Sequence, residues 1–297
     1  MRIPRRLADA SLILVTAIWG STFLIVQNSL HQVSPLAFLA CRFSIASAVL
    51  LVVNRKHFTR EAVIPGIITG FFLFAGYAFQ TIGLQFTTAS KSAFLTSLSV
   101  PMVPFVAALV YKKAPGLRET LGIALASAGM LLLTVPGGIG EISKGDVLNF
   151  CCAVAFAAQV VAVSFYSGRG SFGTFVSMQM VTVTALSLAT CRWAEPFTFR
   201  PNGRAWFAFA VTGLLATALA FSVQAWAQQY TSVNRAAVIY ALEPVFAWLT
   251  SFVLLDEVLS VRATAGAGLI LFGILIVEMK RSAKQVHHID SVRHSDF

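Results

Sequence analysis

The sequence predicts an all-α integral membrane protein with ten transmembrane helices arranged as two inverted five-helix repeats. Three observations carry this. First, 57% of the 297 residues are hydrophobic and only 11% are charged, with a mean hydropathy of +0.77. That balance is too apolar for a water-soluble domain of this length. Second, the apolar residues fall into ten runs separated by short polar breaks. In a bilayer such runs must be helices of about 20 residues, because no water reaches their backbone groups. Third, the stretch from Phe221 to Val277 has already occurred once, 144 positions earlier: Gln224 falls on Gln80, Gln229 on Gln85, Thr231 on Thr87, Arg262 on Arg118, Thr264 on Thr120, Gly266 on Gly122 and Gly273 on Gly129. A period this long marks duplicated halves rather than a solenoid.

The first half gives spans at Ser11 to Leu30, Leu36 to Val53, Val63 to Phe86, Ser90 to Tyr111 and Leu117 to Val135. The second half gives Gly145 to Tyr166, Thr174 to Thr190, Ala205 to Gln228, Ser232 to Leu255 and Arg262 to Met279. Weaker matches extend the repeat forward, with Ala8-Asp9 recurring as Gly145-Asp146 and Trp19 as Phe156. The duplication divides the chain into residues 1–139, residues 140–280 and a polar tail, 281–297, read as disordered and cytoplasmic. Connections such as His31 to Pro35 and Pro136 to Gly140 leave no room for a soluble domain. Arg2, Arg5 and Arg6 before an apolar run imitate a signal peptide, but no small-residue cleavage site follows, so the first helix is read as uncleaved.

The net charge of +10 sits in loops and tails, where it sets orientation in the membrane and gives no nucleic-acid groove. With the N-terminus cytoplasmic, fifteen Lys and Arg fall inside (Arg2, Arg5, Arg6, Arg55, Lys56, Arg60, Lys112, Lys113, Arg118, Arg169, Arg235, Lys280, Arg281, Lys284 and Arg293). Six fall outside, namely Lys91, Lys144, Arg192, Arg200, Arg204 and Arg262. The excess predicts that both termini are cytoplasmic, although Arg192, Arg200 and Arg204 pull the other way. Five helices per half is an odd number, so the second half enters the membrane upside down. Inverted repeats are typical of secondary transporters, which rock one half against the other around a midplane site.

Ile18 to Phe23, Arg42-Phe43, Leu242 to Phe246 followed by Leu255 to Glu257, and the Gly266/Gly273 pair resemble the EamA-type transporters of the drug/metabolite transporter superfamily. The resemblance implies a bacterial inner-membrane location and export of small metabolites such as amino acids, or of drugs. It also implies a central cavity lined by helices one to four and six to nine. Lys112-Lys113 depart from the pattern, standing where the second half has Asp256-Glu257 and where family members often carry Glu.

Glu243 is the one carboxylate placed near mid-membrane, about eleven residues into the ninth span and so roughly 16 Å deep. An ionisable residue there is a functional hypothesis by default: it could bind and release a proton or pair with a substrate amine. The competing reading is a carboxyl tied to the helix distortion at Pro244. Arg42, the other buried charge, either meets a substrate carboxylate or Glu243, or snorkels outward or caps freed carbonyls.

Thr96 and Ser99 share one helix face, and Tyr240 and Glu243 occupy the same repeat positions, so two inverted copies present these groups to a common centre. The repeated amides Gln80 and Gln224 should face protein or water, for substrate or for structure. Trp19, Tyr77 and Gln159 complete the candidate substrate-binding set; aromatic walls suit apolar or cationic solutes. Lys91 and Arg235, at matching helix starts, are read as snorkelling cations or as anion-attracting mouths. Gly122, Ala126 and Gly129, echoed by Gly266 and Gly273, read as packing between halves or between protomers.

Cys41, Cys151, Cys152 and Cys191 show neither disulfide nor metal spacing. All five histidines (His31, His57, His287, His288 and His294) lie in loops or the tail, and no nucleophile-base pair or ATP-binding loop is present. The expectation is a transporter rather than an enzyme, with no cofactor, no metal and no nucleic acid. A facilitative uniporter or exchanger, a passive channel or structural membrane subunit, and a lipid-modifying membrane enzyme stand as alternatives. The expected partners are a small-molecule substrate and membrane lipids, in a monomer or homodimer.

Overall fold

A computed structural model describes residues 5–56, 58–86, 92, 95–134, 143–194, 196–255 and 261–278. Helix follows helix along these residues: α1 (Arg5–Ser29), α2 (Pro35–Asn54), α3 (Val63–Gly83), α4 (Ser99–Tyr111), α5 (Leu117–Thr134), α6 (Lys144–Tyr166), α7 (Phe172–Thr190) and α8 (Gly203–Gly213). A π-helical segment, Leu214–Leu219, joins α8 to α9 (Ala220–Ala227). Then come α10 (Val233–Tyr240), α11 (Glu243–Leu255) and α12 (Val261–Glu278). Among the described residues six helices are long and apolar enough to cross a membrane, and Leu95–Tyr111 and Thr264–Val277 are shorter apolar helices.

Helix starts follow local chemistry. Ser143 and Asp146 form a reciprocal capping box at α6, at 2.7 and 3.2 Å, which fills two orphan donors. Ser171, Asn202 and Ser232 accept from the third amide of α7, α8 and α10, and Pro35 opens α2, where its missing N–H costs nothing. The loop after α1 is pinned to the loop before α8 by an isolated antiparallel bridge between Val33 and Phe199.

Three spans depart from the expected continuous helices. The ninth is cut by a turn at Ala241 and Leu242, immediately ahead of Glu243-Pro244, because proline supplies no N–H to the preceding turn. The fourth has its turn at Leu98, the position 144 residues before Leu242. The eighth widens into the π segment. Residues 87–91 and 93–94 at the start of the fourth span lie outside the described residues, as do Lys91, His57, the Pro136 to Gly140 loop, Asp256-Glu257, Met279 and the tail 281–297.

Packing pairs α3 with α6 and α7, α2 with α7 and α8, α4 with α6, and α1 with α9, α10 and α11. α5 pairs with α12, and there the small-residue face is used within the chain. A Cβ on Gly129 would lie 2.5 Å from the Gly266 carbonyl oxygen, and one on Gly273 would lie 2.6 Å from that of Gly122. Such contact of bare backbones is how helices associate where no hydrophobic effect drives them. Gly129→Val should therefore destabilise the protein by about 2 kcal/mol through overpacking, read as a lower melting temperature in detergent; an unchanged melting temperature would refute the close approach.

Candidate functional site

Inside the bundle a cavity is bordered by α1, α2, α3, α4, α6, α9, α10 and α11, and its wall includes all ten candidate residues: Trp19, Arg42, Tyr77, Gln80, Thr96, Ser99, Gln159, Gln224, Tyr240 and Glu243. The lining climbs toward one end of the bundle, reaching Val26 near the end of α1, Leu39 near the start of α2 and Leu84 just past α3. The other end is shut by apolar side chains of α1, α4, α6 and α10, among them Leu12, Val103, Val161 and Ile239. The lining thus runs toward the end of the bundle that holds the end of α1, with the apolar cluster of Leu12, Val103, Val161 and Ile239 toward the start of α1.

Arg42 is 4% exposed and committed to the π segment. Widening that turn opens the carbonyl ladder, and the Ala216 carbonyl accepts two side-chain donors: Trp19 Nε1 at 2.9 Å and Arg42 Nη2 at 3.2 Å. Arg42 Nε also donates to Thr217 Oγ1 at 2.6 Å, and Nη2 donates to the Tyr77 hydroxyl at 3.3 Å. The guanidinium carbon stands 4.8 Å from the Tyr77 ring centroid, a cation–π contact that strengthens when desolvated. Of the two readings for Arg42, capping freed carbonyls is the one the geometry displays; no ion pair joins it to Glu243.

The amides are largely spent on each other. Gln159 and Gln224 exchange hydrogen bonds at 3.3 and 3.4 Å, which locks α6 to α9. Gln80 donates to Thr96 at 3.4 Å, and Thr96 donates to the buried Asn149 at 3.4 Å. Asn149 also accepts from Ser92 at 2.6 Å. Buried side-chain amides satisfied in this way rigidify a wall rather than offer free donors.

Glu243 differs. It heads α11 directly after the turn, and among the described residues its carboxylate has neither a hydrogen-bond partner nor an ion pair. Its height is set by α1: a Cβ on Gly20 would lie 2.6 Å from the Glu243 carbonyl oxygen, so the two backbones touch. One turn below, the buried Tyr240 hydroxyl has no hydrogen-bond partner. Around them stand Trp19 with Phe221 at 5.1 Å and Tyr240 at 5.7 Å, and Tyr77 with Phe156 at 5.3 Å between ring centroids. An aromatic box containing one unpartnered carboxylate suits an apolar or cationic group.

Phe156, Phe221, Thr22 and Asn149 were not among the expected site residues. Phe221 and Phe156 stand at the repeat positions of Tyr77 and Trp19, so the duplication carried the signal for both. Arg235 corrects an expectation: it neither snorkels nor faces a mouth, but is buried against Asp9 at 2.7 Å. Arg42→Gln should raise amide exchange across residues 214–219 by about tenfold or more, since a buried carbonyl loses a charged donor worth about 1.5–3 kcal/mol. Exchange mass spectrometry showing no change there would separate Arg42 from the π segment.

The EamA-like transporter family model matches residues 6–135 and 143–279. An uncharacterized transporter of Archaeoglobus fulgidus is 35% identical over 278 residues, covering 94% of this chain and 88% of the relative. YyaM of Bacillus subtilis, also described as an uncharacterized transporter, is 23% identical, covering 86% of this chain and 88% of its own. The uncharacterized inner membrane transporter YedA of Escherichia coli is 23% identical over 88% of this chain and 87% of its own. A solved crystal structure of a protein 20% identical superposes with a TM-score of 0.78, covering 93% of this chain and 97% of that one, and shares the fold. With the family model matched along nearly its whole length and a relative at this identity, this multi-pass membrane chain belongs to the EamA-like transporter family.

Proposed function

We propose that the chain is a secondary transporter that exports small organic metabolites (amino acids or related compounds) or drugs by alternating access, with Glu243 carrying the coupled proton. The observation that carries this reading is the unpartnered Glu243 carboxylate on the wall of an aromatic cavity inside the bundle. A charge placed within the membrane is expensive unless it does something there. In this reading Trp19, Tyr77, Phe221 and Tyr240 hold the apolar part of the solute, while Thr96, Ser99 and Gln80 border its polar part.

The two inverted repeats, residues 1–139 and 140–280, are supported by the packing. Exchanging the first five spans for the last five maps the contact of α3 with α6 onto that of α9 with α1, and the contact of α4 with α6 onto that of α11 with α1. The turns at Leu98 and Ala241–Leu242 map onto each other as well. The Lys and Arg asymmetry supports cytoplasmic termini, and in this reading the cavity opens to the outer face. The description of YedA supports a bacterial inner-membrane location.

The test is uptake into proteoliposomes of pooled labelled amino acids, nucleosides and cationic drugs, with and without a pH gradient. Accumulation that collapses with the gradient supports coupled transport; equilibration without accumulation would instead mean facilitated diffusion. Glu243→Gln is expected to abolish gradient-driven accumulation while leaving substrate exchange across the membrane. Gradient-driven flux that survives the substitution would remove the proton from Glu243.

A further inference from the structure

Outside the cavity lies a second cluster of charged and polar groups at the sealed end. Asp9 of α1 and Arg235 of α10 are 4% and 6% exposed, and their Oδ2 and Nη2 are 2.7 Å apart. Thr231, just ahead of α10, donates to Asp9 Oδ1 at 2.8 Å. Asn234 donates to Glu119 of α5 at 2.8 Å, and Arg235 Nη1 reaches the Val277 carbonyl of α12 at 3.5 Å. The first turn of α10 and its cap are therefore tethered to three other helices through side chains that take no part in the cavity.

We propose that these contacts are a latch that keeps the cavity sealed on the face holding the start of α1, and that this latch must release for that face to open. The argument is mechanical. α10 is only eight residues long, and the turn at Ala241–Leu242 detaches it from α11, which is fixed on α1 through Gly20. Its apolar face, including Ala236, Ala237 and Ile239, closes the cavity against α4 and α6. Its apolar residues are buried, but apolar packing is non-directional and does not by itself fix one position of so short a segment. A fixed position comes from its other end, where a buried ion pair and three further hydrogen bonds act. Buried ion pairs add little net stability but discriminate sharply between arrangements, because either partner left alone is costly. Asp9, Thr231, Arg235, Asn234 and Glu119 are thus positioning residues that act through α10 on access to the cavity.

This inference rests on the transport reading for the reason the face must open, but its test needs no substrate. In full-length protein with Cys41, Cys151, Cys152 and Cys191 replaced by alanine, Ala237→Cys reports on the seal, and Ala46→Cys, buried in a different cluster, reports on general loosening. Reaction with a water-soluble maleimide is followed in proteoliposomes. Asp9→Asn and Glu119→Gln are expected to speed labelling at position 237 by about tenfold, equivalent to about 1.4 kcal/mol in the closed–open balance, with position 46 unchanged. Thr231→Val, which keeps the ion pair, should give a smaller rise. The exchange of Asp9→Arg with Arg235→Asp should restore slow labelling. Equal rates at position 237 in all variants, or rates that rise together at 237 and 46 in both Asp9→Asn and Thr231→Val, overturn the latch. Either outcome leaves the flux measurements standing as a separate test of transport.

Discussion

The Ala216 carbonyl is the point on which the site depends. Inside a membrane each backbone group must find a partner within the protein, and a π turn gives that rule a local opening. The chain meets it with two side chains from two other helices, Trp19 and Arg42. One carbonyl thereby fixes an aromatic wall, anchors a buried cation and, through that cation, orients Tyr77. An arginine that would be prohibitive in lipid becomes tolerable because its donors are consumed by protein acceptors. The irregularity in the eighth span and the charge in the second are therefore halves of one arrangement.

The same logic organises the broken ninth span. Pro244 cannot continue the hydrogen-bond ladder, and the turn ahead of it sets Glu243 at the head of a new helix. This places the acid beside the aromatic rings rather than against lipid. The amides of α3, α6 and α9 meanwhile satisfy one another or a nearby threonine. The cavity thus has a stiff polar frame with one carboxylate and one tyrosine hydroxyl unspent.

Much of this was legible in the residues. Spans two, six and seven begin and end within about two residues of their expected limits, since apolar runs bounded by Ser, Pro or Asn admit little else. The ten candidate residues, several of which the sequence left open between cavity and structure, all border the cavity, because polar and aromatic groups within an apolar run have few other places to point. The phenylalanines at 156 and 221 are visible in the repeat but do not stand out as site residues, because Phe is common in any lipid-facing surface and only their alignment with Trp19 and Tyr77 marks them. The π segment was not legible: Leu-Leu-Ala-Thr-Ala-Leu carries no breaker, and its cause lies in Trp19 and Arg42, far away in sequence. Arg235 misled for the same reason, since its partner is Asp9, 226 positions away.

Gly20 carries one more implication. With no side chain between them, α1 and the first turn of α11 touch backbone to backbone, so the two behave as a single beam with the acid mounted on it. The acid's position in the cavity is then a property of the beam rather than of its own helix. A one-methyl change on α1, which touches no ionisable atom, would push the first turn of α11 away from α1 and shift the carboxylate against the aromatic rings around it.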